Sequence, residues 1–242
     1  MTLADWPRRV AAVAQFTVSD PCQPLLEDAD EHHLRRVLRA RVGEEVVVAD
    51  GVGGWTICAV SATGLEPLTE LRRDPVPAST ALYLVPLKGD RSEWAVAKAT
   101  ELGVGRIVPL VSERLAARFV GDSRERTMSR WRRVAAEATG QCRRTYRVEF
   151  DDPVTPVQVP ADVAVADLEG ADEWRDVRAV AIGPEGGWAP GEWSDRRRLG
   201  LGPTVLRAET AAVVAAALLA QAAGSWAVTA RGDGAGKDEG TR

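Results

Sequence analysis

The chain has 242 residues, 45% of them hydrophobic, which is enough for one large domain or two smaller domains with a real core. Its three cysteines are odd in number and contain no CxxC pair, so we predict no disulfide framework, no metal site, and a reducing, cytoplasmic location. A net charge of −4 argues against indiscriminate nucleic-acid binding, and the lack of an apolar stretch of secretory or bilayer-spanning length predicts a protein that is neither exported nor embedded in a membrane.

Residues 1–74 are predicted to form a small β-barrel domain. An apolar run at 46–48, a turn-forming run at 50–54 and an alternating apolar pattern at 55–60 predict a hairpin. Before this hairpin, Asp30 is predicted to cap a short helix. A small barrel with one helix accommodates both features.

The segment 72–80 has two prolines and no periodicity, and it is the predicted linker to a second domain, 75–229. In that domain, strand-like runs alternate with helical segments, which indicates an α/β fold with a mainly parallel sheet. The predicted strands are 81–87, 106–111, 163–168 and 178–182, and the predicted helices are about 91–102, 124–139, 190–199 and 209–223. The tail, 230–242, lacks apolar anchors and is predicted to be disordered.

Basic residues on two of the predicted helices have alternative interpretations. Lys98 falls within the apolar stripe of helix 91–102, so its side chain either extends to the surface or points into a site. Helix 124–139 separates an apolar side from an arginine-rich side. That side is either a solvated face or, with its continuation into 141–147, a surface suited to phosphate contacts.

The segment AVAIGPEGGW, 179–188, is the most specific local pattern, a buried strand followed by a glycine-rich turn. Such a turn lets backbone atoms approach a ligand closely, and ligands of open α/β sheets bind at the carboxyl ends of strands. A small-ligand site is therefore predicted there, with an ordinary tight turn as the alternative. The segment is neither a P-loop, because no GK[ST] follows, nor a dinucleotide fingerprint, because GxGxxG is absent.

A second loop rich in glycine and proline precedes the apolar helix 209–223. Pro203 lies in this loop, and Arg207 and Glu209 stand at the mouth of the helix. Glu209 either complements the helix dipole or takes part in a site. Two such loops in one sheet, each after a strand, together favour a ligand pocket.

Five sequence strings occur along the chain in a specific order. They are HHLRRVLR (32–39), LKGDRSEWAVAKATELGVGRIVPLVSER (87–114), AAEATGQCRR (135–144), IGPEGGW (182–188) and LGPTVLRAETAA (201–212). Together they resemble the RsmE family, bacterial methyltransferases that modify N3 of a uridine in 16S ribosomal RNA. The combination of KATELGV, IGPEGG and LRAETA is far more specific than any one string.

The resemblance implies an N-terminal PUA-like barrel for RNA binding and a C-terminal SPOUT domain whose chain forms a deep trefoil knot. It also implies a homodimer, S-adenosylmethionine as the cofactor, and 16S ribosomal RNA or the small ribosomal subunit as the partner. The cofactor pocket that it implies consists of Ile182, Gly183, Pro184, Glu185, Gly186, Gly187, Leu201, Gly202, Pro203, Leu206 and Arg207. The RNA contacts that we predict beside it are His33, Arg36, Arg39, Gln141 and Arg144.

Some positions depart from the family's pattern. The family usually has an acidic residue where Gly140 stands, a proline where Val148 stands, and more often Phe or Leu where Trp188 stands. The family's short basic N-terminal strand is replaced by VAAVAQF, 10–16, behind a longer lead.

Methyl transfer to N3 of uracil needs a base for the N3 proton and donors that stabilise the charge on the flanking carbonyl oxygens, but no metal. The candidate bases are Glu209 and Glu185, and the candidate donors are Arg207, Lys98 and Arg144. One alternative is a SPOUT methyltransferase that acts on another RNA position. Another is a ribosome-associated RNA-binding factor whose activity has decayed. A nucleotide-binding hydrolase is disfavoured by the missing P-loop.

Overall fold

Two β-sheets organise the chain, which the computed structural model describes at residues 5–112, 119–189, 191–193 and 195–224. The N-terminal elements are α1 Trp6–Ala11, β1 Gln15–Thr17, α2 Asp28–His32, β2 Glu45–Ala49, β3 Gly54–Val60, β4 Leu65–Pro67 and β5 Arg72–Arg73. The later elements are β6 Ala81–Leu84, α3 Arg91–Glu101, β7 Arg106–Pro109, α4 Gly121–Gln141, β8 Glu149–Phe150, β9 Ala164–Ala171, β10 Ala179–Ile182, β11 Arg198–Leu199 and α5 Ala208–Ala222. None of the described helices is long and apolar enough to cross a membrane. The predicted disordered tail, 230–242, lies outside the described residues.

The N-terminal sheet contains the predicted hairpin. β2 and β3 pair antiparallel, with Val47 opposite Ile57, and both side chains are buried. β1 pairs with β2 in parallel, and β4 and β5 both pair with β3. β1 was not predicted, because a strand of three residues is too short to show a clear alternating pattern.

The short helix before the hairpin begins three residues earlier than predicted. α2 starts at Asp28 with Glu27 as its N-cap residue, so Asp30 lies in the first turn and is not the cap. The stretch is almost entirely polar, and no apolar period marks where the helix begins. The chain continues as a π-helical turn over 33–37, in which Leu34 is fully buried in the core of this sheet.

The second sheet is parallel at every pairing between its described strands, in the order β11-β9-β10-β6-β7-β8. α3, α4 and α5 pack against it around a core in which Leu82, Trp131 and Leu219 are fully buried. The predicted alternation of strands and helices is confirmed, and all the predicted elements but one lie within a few residues of their expected bounds. The sheet therefore brings the carboxyl ends of its strands to one edge.

The predicted helix at 190–199 is wrong. Of the residues described there, Gly191 and Asp195 have φ values of +84° and +63°, which a right-handed helix does not contain. The chain forms turns that lead into β11. The Arg196 guanidinium donates a hydrogen bond of 2.7 Å to the carbonyl oxygen of Val159, so this charged stretch anchors a loop.

A buried arginine joins the N-terminal sheet to the second one. Arg9 of α1 is 1% exposed, and its guanidinium pairs with Asp74 at 2.9 Å and lies 4.4 Å from the centre of the Trp55 ring. The same guanidinium donates a hydrogen bond of 2.6 Å to the carbonyl oxygen of Arg143, just after α4. The N-terminal helix, the linker and the end of α4 therefore meet at one cation.

Replacing Gly170 with alanine should lower the free energy of unfolding by about 2 kcal/mol, a typical cost of overpacking. A β-carbon at Gly170 in β9 would overlap the backbone of Leu199 in β11, so the two strands would have to separate. Urea unfolding measures the change. Gly105→Ala is the matched control, because its β-carbon would meet the Thr80 carbonyl oxygen at 3.4 Å, an ordinary contact distance. An equal loss in both variants would contradict a close approach of β9 and β11.

Candidate functional site

A cavity of about 610 Å³ opens at the carboxyl ends of β9 and β10. Its walls are the end of β9, the loop that follows β10, and the loop between β11 and α5. The predicted pocket residues that line it are Ile182, Gly183, Pro184, Glu185, Gly187, Leu201, Gly202 and Leu206. The structure thus brings the two glycine-containing loops together at one cavity.

Three predicted pocket residues lie outside the cavity lining. Gly186 is exposed in a turn that is closed by a hydrogen bond of 2.9 Å from the Gly187 N–H to the Pro184 carbonyl oxygen. Pro203 is exposed within the second loop. Arg207 is exposed as the N-cap residue of α5, and its side chain forms no ion pair with a described residue. Each of the three is a chain neighbour of a lining residue, so they stand at the rim.

One wall of the cavity was missed by the sequence analysis. It is formed by β9, whose residues 165–169 line the cavity and whose Asp167 pairs with Arg198 of β11 at 2.8 Å. No glycine or motif marks this wall. The available signal was the predicted strand at 163–168, because in a parallel sheet its carboxyl end lies at the same edge as that of β10.

Two tryptophans form an aromatic wall of the cavity. The rings of Trp188 and Trp193 are tilted at 59° with their centres 5.0 Å apart, and both line the cavity. A β-carbon at Gly183 would come within 2.8 Å of the Trp188 indole. Gly183 is therefore the residue that lets the indole pack directly on the backbone.

One arginine connects the two candidate carboxylates. Arg91, at the start of α3, pairs with Glu185 at 2.5 Å and lies 3.9 Å from Oε2 of Glu209. This Oε2 atom is buried and accepts no hydrogen bond from the described residues. Glu209 therefore shares the Arg91 guanidinium with Glu185 at a longer distance, and only Glu185 of the two is a lining residue of the cavity. Among the described residues, no group of three or more His, Cys, Asp or Glu side chains is placed to hold a metal ion.

Two of the predicted donors lie away from this cavity. Lys98 pairs with Glu101 at 2.8 Å on the surface of α3, so its side chain extends outward and does not line the cavity. Arg144 donates hydrogen bonds of 2.8 and 2.9 Å to the carbonyl oxygens of Thr100 and Val104, and burial lowers the pKa of its guanidinium. Arg144 therefore caps the end of α3. Its guanidinium is not displayed on the surface, where a phosphate-binding arginine would lie.

The other predicted RNA-binding residues are exposed. His33, Arg36 and Arg39 lie on and just after the π-helical turn, and Gln141 ends α4. The His33 ring stands edge-on to Phe16 with 6.4 Å between the ring centres. The structure thus presents three of them from one segment of the N-terminal part and the fourth from the α/β part.

Comparison with known proteins gives consistent matches over both parts of the chain. The family model described as RNA methyltransferase domain matches residues 74–220, and the model described as RNA methyltransferase PUA domain matches residues 26–69. A relative from Mycobacterium bovis, named ribosomal RNA small subunit methyltransferase E, is 33% identical, with 88% of this chain and 92% of the relative covered. A Synechocystis relative of the same name is 30% identical, with 79% and 71% covered.

Solved structures give the same picture. A methyltransferase of Legionella pneumophila, in complex with the bound cofactor SAM, matches with a TM-score of 0.72, 26% identity, and coverage of 86% of this chain and 97% of that one. A ribosomal RNA small subunit methyltransferase E of Neisseria gonorrhoeae, bound to S-adenosyl methionine, matches with a TM-score of 0.71, 25% identity and the same coverage. These matches confirm the predicted fold class, a SPOUT-type α/β domain after a PUA-like domain. The chain therefore belongs to the ribosomal RNA small subunit methyltransferase E family and is an RNA methyltransferase.

Proposed function

We propose that this enzyme uses S-adenosylmethionine to methylate N3 of a uridine in the 16S ribosomal RNA of the small ribosomal subunit. The observation that carries the proposal is the single cavity at the carboxyl ends of β9 and β10, walled by the IGPEGGW and LGPTVLRAET loops. The similar Legionella and Neisseria proteins bind the same cofactor. A reaction on ribosomal RNA also agrees with the cytoplasmic location expected from the cysteines.

The cavity suits a ligand with apolar, aromatic and polar parts. Its volume of about 610 Å³ is within the range of small-molecule sites. Gly183 and Gly202 leave backbone atoms accessible, Leu201 and Leu206 offer apolar surface, and Trp188 offers an aromatic face. We assign cofactor binding to the lining residues of the two loops, with Gly186, Pro203 and Arg207 at the rim.

The bound cofactor supplies a methyl group on a sulfonium centre. The methyl group would pass from sulfur to N3 of uracil as N3 gives up its proton, so the chain's part is to align the base and to manage its proton and charge. We assign Glu209 as the base that takes the N3 proton, because Arg91 holds Glu185 at 2.5 Å but lies 3.9 Å from Oε2 of Glu209, which accepts no hydrogen bond from the described residues. Arg207, exposed at the rim, stabilises the charge that develops on the uracil oxygens.

The test is methylation of small subunits and of free 16S RNA from cells that lack the gene, followed by mass mapping of the modified nucleosides. We expect one 3-methyluridine. A methyl group on another nucleotide or atom would favour a SPOUT enzyme of different specificity. Absence of methylation together with absent binding of S-adenosylmethionine in calorimetry would favour an RNA-binding factor whose activity has decayed.

We also propose that the enzyme acts as a homodimer. From residue 211 to residue 220, α5 is apolar on every side, and Val213, Val214 and Leu218 remain partly exposed on it. A helix that is apolar on every side is normally covered on every side. A second copy of the chain packed on these residues would cover them and leave the cavity at the start of α5 open.

The division of labour between the two parts is a further element of this proposal, with residues 1–74 binding RNA and 75–229 carrying catalysis. The double variant Arg36→Ala and Arg39→Ala should weaken RNA binding and reduce its salt dependence, because each lost phosphate contact removes about 0.7 from the logarithmic slope for a single strand. Fluorescence anisotropy at several salt concentrations measures both. Affinity for S-adenosylmethionine should be unchanged; an equal fall in the two affinities would contradict the division.

A further inference from the structure

A second cavity, of about 630 Å³, lies between the N-terminal part and the α/β part. On one side it is lined by α2 and the residues that follow β1, and on the other by α4 and β8. We call it the interdomain cleft. Its lining includes two carboxylates from the N-terminal part, Glu27 and Asp30, and two arginines from the other part, Arg132 and Arg147.

The charged groups of the cleft are only partly used within the protein. The Asp30 side chain is half-buried and forms no hydrogen bond with a described residue, and burial, followed by the charge of Glu27, raises the pKa of its carboxyl group. Arg132 is exposed and has no ion pair among the described residues, while Arg147 donates only to the carbonyl oxygen of Asp50. The carboxylate of Asp30 and the two guanidinium groups thus line one cleft without pairing with each other.

The remaining lining combines apolar residues and three hydroxyl-bearing residues, and it includes one aromatic ring. Val148 is buried and Phe150 is half-buried where β8 borders the cleft. His33, which the sequence analysis assigned to RNA, is close enough for its charge to act on Asp30. A cleft with cations, unsatisfied acceptors and an aromatic face has the three kinds of group that hold an unpaired nucleotide.

The cleft is separate from the cofactor cavity. It borders β8, which is an edge strand of the second sheet, whereas the cofactor cavity lies at β9 and β10. Three strand spacings separate β8 from β10, or roughly 14 Å. A nucleotide in the cleft is therefore not the one that is methylated at the cavity of the same chain.

We propose that the interdomain cleft binds one unpaired nucleotide of the RNA, distant from the methylated uridine, and that it selects a base carrying an amino group, guanine above all. This inference rests on the proposed function for the presence of an RNA substrate. Guanine offers two parallel N–H donors to one carboxylate such as Asp30, while adenine and cytosine offer an amino group alone. Uracil presents mainly carbonyl oxygens, which a carboxylate repels. Arg132 and Arg147 take the phosphate.

The test is binding of labelled pentanucleotides, UUGUU, UUAUU, UUCUU and UUUUU, measured by fluorescence anisotropy. The enzyme should bind UUGUU at least about fivefold more tightly than UUUUU. Asp30→Asn should remove this preference, because the amide replaces an acceptor by a donor that suits uracil. Arg132→Ala should weaken binding of all four oligonucleotides by a similar factor, since a phosphate contact carries no base preference.

Two matched variants serve as controls. Asp28→Asn changes a carboxylate of the same helix outside the cleft, and Arg133→Ala changes the next arginine of α4, also outside the cleft. Both should retain the guanine preference and the affinity, and all four variants should melt at the temperature of the parent and bind S-adenosylmethionine equally. A preference that survives Asp30→Asn, or that Asp28→Asn removes equally, would overturn the proposal.

The outcomes for the cleft and for the catalytic function are distinguishable. Methylation of the 16S RNA by an enzyme that shows no base preference on the pentanucleotides would overturn the cleft assignment and leave the function in place. A guanine preference that depends on Asp30, in a protein that methylates nothing, would support the cleft while contradicting the catalytic function.

Discussion

Arg207→Ala should lower kcat by about 100-fold, the effect of deleting one donor that stabilises a developing negative charge. Arg207 is exposed at the start of α5, has no ion pair among the described residues, and stands between the lining residues Leu206 and Ala208. Its charge is therefore available to the substrate base and not tied to the fold. Because the uracil oxygens gain charge only as the N3 proton leaves, the loss should appear in kcat, with only a modest change in cofactor affinity.

Single-turnover methylation of the target RNA, measured beside thermal melting, tests this expectation. Glu209→Gln is the companion variant. If Glu209 is the base, its kcat should also fall by about 100-fold or more. If Glu209 only complements the dipole of α5, the variant should lose less than about 1 kcal/mol of stability and keep its activity. Turnover close to that of the parent enzyme in Arg207→Ala would remove Arg207 from the chemistry.

Gly183→Val should weaken the binding of S-adenosylmethionine by about 100-fold or more. A β-carbon at this position comes within 2.8 Å of the Trp188 indole, so the ring must shift from its place in the cavity wall, and the added methyl groups take up space beside it. A loss of this size corresponds to about 2.7 kcal/mol of binding free energy. Isothermal calorimetry measures it directly, and melting of the free protein reports whether the fold is retained.

Gly186→Val is the matched control for this prediction. It places the same side chain in the same loop, three residues further on, at an exposed position outside the cavity lining. We expect a much smaller change in cofactor affinity. The sequence pattern does not distinguish these two glycines, so equal losses in both variants would mean that the loop as a whole, and not contact with the cavity, determines binding.

Local patterns predicted those parts of the molecule that depend on local properties. The hairpin of β2 and β3 follows from apolar residues on either side of a turn, and its core valines are buried as expected. The two loops of the cofactor cavity were predicted because glycines after buried strands leave the backbone accessible. The wall at 165–169 has no such composition, and only the sheet topology places it there.

The charge pattern of the sequence did not predict which arginine side chains form hydrogen bonds within the folded protein. Arg144 follows an arginine-rich helix and resembles a surface residue in sequence, yet its guanidinium donates to the carbonyl oxygens of Thr100 and Val104. Arg196 similarly anchors a loop through the carbonyl oxygen of Val159. These acceptors lie more than 30 residues away in the chain, and a sequence pattern contains no information about which carbonyl group a distant turn leaves unpaired.

Two departures from the family's pattern belong to one structural feature. A β-carbon at Gly140 in α4 would come within 2.8 Å of the Gln15 carbonyl oxygen in β1, so the acidic side chain usual in the family does not fit beside this strand. The Gln15 side chain also donates a hydrogen bond of 2.5 Å to the carbonyl oxygen of Arg144. The altered N-terminal segment and Gly140 of α4 are therefore linked by direct packing. The sequence alone does not show this connection.

The junction around Arg9 has a consequence for the order of events during synthesis. Its ion-pair partner Asp74 lies 65 residues further along the chain and its acceptor on Arg143 lies 134 residues further, so the full set of partners is complete only after the end of α4 has left the ribosome. At bacterial and eukaryotic elongation rates that delay is on the order of ten seconds. The local β2–β3 hairpin needs only microseconds to form, whereas α1 waits for a long-range partner. The nascent N-terminal helix is thus exposed to chaperones and proteases for most of translation, although the Arg9 side chain ends 1% exposed in the folded enzyme.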